Sequence, residues 1–352
     1  MSPFTLLMGL AFSLLSLAAA PPVAVACSLT QSPDGIYKRH LGRDCTPQQR
    51  DAQAIAAEEL LAALQAGKGL DLAGVTLHGN INLDALSQTP INPGDLPSPE
   101  VRDLLGTASQ LRVVSGPITI RDAVVRGLVA TNLKEGYLLV QGPVTVTGST
   151  FERPVDLSRT IFLGPVDFSN TIFSQEAFFI MARFEQAARF EKTAFGAHAR
   201  FHKARFADSA FFVRAGFNGL AEFIQVTFAK EASFSRAYFK MGTGFSGSRF
   251  GGPLDFSEAV FERAAFFTFA VFEKDAYFRR TTFRADANFS DAEFKGLDDF
   301  SKAFFNTEPR FTRTKANGGR SPTGLQNPRL LYSIAGAMFV FAVIFVFMLR
   351  KW

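Results

Sequence analysis

Cysteine, histidine and tryptophan are scarce in this chain: two, four and one among 352 residues. Two cysteines, Cys27 and Cys45, without a useful histidine set cannot build a zinc site. His198 and His202 stand four apart, but that spacing shares a face only on a helix, and the pair straddles Phe201. A glycine-rich phosphate loop, a nucleophile elbow and a paired-cysteine motif are all missing, which removes the common signatures of nucleotide, hydrolase and dithiol chemistry. No metal, cofactor or enzymatic activity is expected. An acidic surplus is missing as well. The formal charge is +5, and between Val140 and Phe311 there are 21 Lys or Arg against 20 Asp or Glu.

Phenylalanine is what abounds, with 40 residues. From Phe151 to Phe311 it returns in alternating steps of five and six residues: Phe162, Phe168, Phe173, Phe179, Phe184, Phe190, Phe195, Phe201, Phe206, Phe212, Phe217, Phe223, Phe228, Phe234, Phe239, Phe245, Phe250, Phe256, Phe261, and onward. Of thirty such rungs only Leu157 is not Phe. Two residues before most rungs stands a small residue, as at Ala182, Ala188, Ala199 and Ala204. A helix cannot use this ladder, because at about 100° per residue a step of five throws the next Phe to the far side. A single strand fails too, since odd and even steps would scatter the rungs over both faces. A turn must separate successive rungs. The solution is a solenoid whose short segments each send one Phe and one small neighbour inward, so that the rungs form columns along the axis.

Segments such as Ala287-Asn288-Phe289-Ser290-Asp291 and Ala292-Glu293-Phe294-Lys295-Gly296 resemble the repeat of bacterial pentapeptide-repeat proteins, in their Phe-rich variety. That resemblance implies an all-β, right-handed quadrilateral β-helix with four faces per coil. The alternating extra residue then gives a 22-residue coil in place of 20, widening two of the four edges. Gly142-Pro143, Gly164-Pro165 and Gly252-Pro253 recur at multiples of 22 and are expected on one corner. Gly116-Pro117 lies 26 residues before the first of them, which points to an irregular coil between Ile120 and Val146.

In chain order, residues 1–26 read as a signal peptide ending at Ala24-Val25-Ala26, or as an uncleaved anchor. Residues 27–70 hold a leader and a capping helix opened by Thr46-Pro47-Gln48-Gln49 and stopped by Gly67 and Gly69. In an exported chain Cys27 and Cys45 pair as a disulfide; Cys27 also resembles a bacterial lipoprotein acceptor, and two unpaired thiols are the third reading. Residues 71–139 form irregular first coils in which Leu72, Leu77 and Leu83 already step by five and six, interrupted near Asp84 to Gln110 with a short helix over Pro99 to Leu105. The regular β-helix covers 140–311, a basic flexible linker 312–329, a transmembrane helix 330–349 without a charge, and a short tail 350–352.

Arg350 and Lys351 favour a rod outside the cytoplasm, whereas Arg313, Lys315, Arg320 and Arg329 favour the opposite orientation with two anchors. The leader and the cysteine pair weight the reading toward export at a bacterial inner membrane. Outward aromatics Phe178, Phe211, Tyr238, Phe266, Tyr277 and Phe304 fall in pairs on three faces by the 22-residue arithmetic. The function expected is a non-catalytic, membrane-anchored scaffold that binds an unidentified protein and no nucleic acid. The alternative implied by the resemblance is a DNA mimic that binds type II topoisomerases, which needs a strongly negative rod.

Overall fold

The computed structural model describes residue 27 and residues 35–316, apart from 93, 95, 97, 107–109 and 132–135. Its chain winds as a right-handed β-solenoid with a four-sided coil. Each regular coil gives one two-residue strand to each of four parallel sheets, called A to D in chain order, as in Val166–Asp167, Ile172–Phe173, Ala177–Phe178 and Arg183–Phe184. Sheets A, B and D have eleven strands each and sheet C nine. The register between neighbours is 22 residues, with Phe173 on Phe195 and Phe184 on Phe206.

Corners alternate in kind. The five-residue steps are tight turns, most of them closed by a bond such as Ala182 N–H to the Phe179 carbonyl, 3.1 Å, with the second central residue left-handed. Met181 has φ of 56°, and the same conformation returns every eleven residues from Arg159 to Arg313, with Gly247 the one glycine. These left-handed corners join A to B and C to D, so they are diagonally opposite. The six-residue steps make the other two corners. Gly142-Pro143, Gly164-Pro165 and Gly252-Pro253 all sit between sheets D and A, where a Cβ on Gly164 would lie 2.8 Å from the Pro143 nitrogen of the coil beneath.

Every rung from Phe162 to Phe305 is at most 3 % exposed. Rings stack on the coil above and below and meet neighbouring columns edge-on, the geometry that the ring quadrupole favours. The small residue two places before most rungs lets the coil close around these rings. At several corners it is Thr and its hydroxyl bonds the preceding coil: Thr171 donates to the Val146 carbonyl at 2.7 Å, Thr193 to that of Phe168 at 2.8 Å and Thr281 to that of Phe256 at 2.8 Å. The buried Thr160 hydroxyl, at the first of these corners, is the exception and has no partner among the described residues.

The early coils use aliphatic rungs and are less regular. One column in sheet B runs Ile55, Leu77, Val125, Phe151, Phe173. Its steps are 22, 48, 26 and 22 residues, obtained by subtracting the paired numbers; the insertion lies in the 48-residue coil and the irregular coil is the 26-residue one. Leu and Val fill less of the lumen than Phe, and an apolar void of about 100 Å³ remains among Leu60, Leu64, Leu77, Val125, Leu157 and Phe168.

The capping helix expected from Thr46 to Gly67 is in fact two. The capping box at Thr46 and Gln49 starts α1 over Pro47–Ala52. Ile55–Ala56 then form a strand on Leu77–His78, and α2 runs over Ala57–Gln65 with Leu60 and Leu64 turned into the lumen. No glycine or proline interrupts the stretch from Gln48 to Gln65, so the pairing of Ile55 with Leu77 decides the break. Strand Ile36–His40 adds the outermost rung of sheet A, on Gly69–Ala73. At the other end Lys315–Ala316 still pair with Glu293–Phe294, so the rod continues past the expected start of the linker at 312. The leader 1–26, most of the linker and the span 330–349 lie outside the described residues. Among the described residues no helix is long and apolar enough to cross a membrane.

Candidate functional site: the outer edges of the rod

Because the lumen is filled with rings, any chemistry the rod performs must lie on its outside. Each two-residue strand turns one side chain outward, and the 22-residue register lines these side chains up in straight columns. Charges of opposite sign meet between successive coils, on the strands for Arg200 with Glu222 at 2.8 Å and on the turns for Lys230 with Asp208 at 2.9 Å, Arg236 with Glu258 at 2.9 Å and Arg284 with Glu262 at 3.2 Å. The bond from Lys230 holds the Asp208 carboxyl below its usual range, and Arg236 does the same for Glu258. Such exposed pairs contribute little to stability. What they set is the rod's exterior potential, which is close to neutral.

The six outward aromatics occupy the three faces expected: Phe178 and Phe266 on sheet C, Phe211 and Tyr277 on A, Tyr238 and Phe304 on B. Guanidinium groups cover three of them, Arg200 over Phe178 at 5.4 Å, Arg189 over Phe211 at 5.0 Å and Arg279 over Tyr277 at 4.3 Å. Among the described residues no guanidinium covers Phe266, which is 42 % exposed. Beside it, at the left-handed C-to-D corner, Phe269 is 63 % exposed with φ of 57°. The coil beneath offers Gly244 and Gly247 in the facing positions, and Ile224 lies over Gly244. The result is an apolar step on one edge: two phenylalanine rings above two glycines, with Ser246 between the glycines bonded to Thr268 at 2.8 Å.

An aromatic residue at a left-handed position is conformationally unfavourable by about 1 kcal/mol or more relative to glycine. Phe269→Gly is therefore expected to raise the stability of the rod by about 0.5–1 kcal/mol in urea unfolding, since the exposed ring gives little burial in return. An unchanged or lower midpoint would mean that the ring packs in the folded rod.

Sheet D carries the insertion. Helix α3, Pro99–Leu105, is capped by Ser98 and packs Val101 and Leu105 with Leu96 onto the outer residues Leu111, Leu139 and Ile161. Next on the same face stand Arg183 and Arg205, Arg183 paired with Glu185 at 3.4 Å and only 14 % exposed. Glu100 of α3 is held below the usual carboxylate range by backbone and Ser98 bonds first, and by Arg205 and Arg183 after them.

At the capped end Cys27 and Cys45 form a disulfide, with Cα atoms 5.6 Å apart. The Arg50 guanidinium clamps the loop they close, donating to the carbonyls of Cys45 at 3.1 Å, Gly42 at 2.9 Å and Gly74. Tyr37 and Arg39 bind Glu59 of α2 at 2.6 and 3.0 Å, and burial followed by this bond pushes the Tyr37 phenol up to about 12. His198 and His202 fall on different corners and do not meet. Among the described residues no group of three or more His, Cys, Asp or Glu is placed to hold a metal ion.

The geometry defines a β-solenoid of short repeats with a packed lumen and ordered outer columns. The family described as pentapeptide repeats matches the chain in nine copies, with matched residues 147–193, 168–216 and 256–303. The matched segments of the rod are thus pentapeptide repeats. No curated protein and no solved structure matches the chain.

Proposed function

We propose that this protein is a non-catalytic scaffold, anchored at the bacterial inner membrane with its rod outside the cytoplasm, that binds a protein through the C-to-D edge. The observation that carries this reading is the exposed pair Phe266 and Phe269 above the two glycines. Aromatic residues in a small apolar patch are the usual anchors of a protein interface, and here one of them occupies a backbone conformation that glycine would adopt more easily. Pentapeptide-repeat solenoids are generally non-catalytic scaffolds. The uncharged run 330–349 supports an anchor, and the Cys27–Cys45 disulfide supports an oxidising compartment. A duplex mimic needs uncompensated negative charge, whereas the outer acids of this rod pair largely with cations one coil away.

Crosslinking in native membranes is expected to join the wild-type chain to one defined protein, and Phe266→Ser with Phe269→Gly to lose that product while the rod stays folded. A product unaffected by the double substitution would move the contact elsewhere on the rod. A reporter fused after Trp352 should be active only in the cytoplasm; activity outside it would reverse the orientation.

A further inference from the structure

One edge of the rod is charged out of proportion to the rest. At the left-handed corner between sheets A and B, successive coils present Lys192, Arg214, Arg236, Glu258, Arg280 and Lys302, all exposed. Five cations less one acid make +4. The stretch from Val140 to Phe311 totals only +1, from 21 less 20, so all its other residues sum to −3. Glu258 binds two of the cations, Arg236 at 2.9 Å and Arg280 at 3.7 Å. For Lys192, Arg214 and Lys302 no carboxylate among the described residues lies within ion-pair distance.

The backbone does not select these residues. The diagonally opposite corner has the same left-handed conformation and carries Met181, Lys203, Gln225, Gly247, Phe269 and Asp291. Identity at this position is free, and on the A-to-B edge it is basic in five of six consecutive coils. The adjoining face is equally distinctive: every outward strand residue of sheet B from Thr150 to Phe304 is uncharged, with Ile172 and Tyr238 well exposed.

We infer that this edge, with sheet B beside it, lies against an anionic phospholipid surface. With strands about 4.8 Å apart, the cations from Lys192 to Lys302 form a straight line roughly 24 Å long. A plane of headgroups meets such a line along its whole length, while a nucleic-acid duplex curves away from it. Uncharged residues with exposed aromatic and aliphatic side chains beside basic ones fit the interfacial layer. Each cation near an anionic leaflet strengthens binding about fivefold, so the three unpaired ones together give ~100-fold. The inference takes from the proposed function that the rod works beside a bilayer, and it places the Phe266–Phe269 edge away from the lipid, toward a partner.

The test uses the full chain reconstituted in vesicles of phosphatidylcholine alone or with phosphatidylglycerol. Amines are acylated with an impermeant reagent and read by peptide mass spectrometry. Labelling of Lys192 and Lys302 should fall by about fivefold or more in the anionic vesicles and recover at high salt. Lys203 on the diagonal edge and Lys274 should not change. Equal labelling of the ridge lysines in both vesicles would overturn the inference, as would protection by added duplex DNA in the neutral ones. Alkaline extraction of the neutral vesicles tests the anchor separately: a chain stripped from them refutes the anchor, while the lysine pattern on anionic vesicles still decides the edge.

Discussion

Phe212→Ala should lower the stability of the rod by about 3–5 kcal/mol, read as the shift of the denaturant midpoint followed by circular dichroism. Phe212 is fully buried and sits in the middle of the stack. Its ring lies 4.8 Å from both Phe190 and Phe234 and nearly parallel to each. It meets Phe201 at 5.5 Å, Phe223 at 5.3 Å and Phe206 at 6.0 Å edge-on. Removing it leaves a cavity that rigid two-residue strands cannot collapse around, and in a solenoid each coil depends on its neighbours. Phe211→Ala, one residue away but turned outward under Arg189, should cost under about 1 kcal/mol. Equal effects at the two positions would contradict the inward assignment of the ladder.

Cys45→Ser is expected to cost about 3 kcal/mol, because the disulfide closes a loop of 18 residues. The loss should be local. Among the described residues strand Ile36–His40 pairs on one side only, and the loop after it is fixed by the disulfide and by its Gly42, Arg43 and Cys45 carbonyls, all bound to Arg50. Without the bond, hydrogen exchange of Ile36–His40 should quicken by at least about tenfold, while amides between Phe206 and Phe294 keep their protection. Uniform loss of protection along the rod would instead mean that the cap controls the cooperativity of the whole solenoid.

The inward half of the structure was legible because it obeys one spacing rule. Phe173, Phe195 and Phe217 fall in one column for the same reason that Gly142, Gly164 and Gly252 fall on one corner: both follow from a 22-residue coil. The helix over Pro99–Leu105 was readable from Pro99 and its preceding Ser98. The break between α1 and α2 was not, since Ile55 looks like one more apolar residue on a helix face, and only its partner Leu77 makes it a rung. The expected end of the rod at Phe311 missed the strand Lys315–Ala316, which has no Phe to mark it. The outward half was harder because left-handed corners accept Lys192, Met181 and Phe269 alike, so no residue type announces them. The basic edge was nevertheless present in the sequence, two residues after every other rung that opens a five-residue step, at Lys192, Arg214 and Arg236. It becomes visible once the corner is known to project.

The central claim is that the two left-handed edges do different work, one toward lipid and one toward a protein. Placing a photo-crosslinking amino acid at position 269, and separately at position 214, in the full chain in native membranes tests it directly. Position 269 should yield a discrete protein adduct and position 214 a lipid adduct. The same adducts from both positions, or none from 269, would contradict the account.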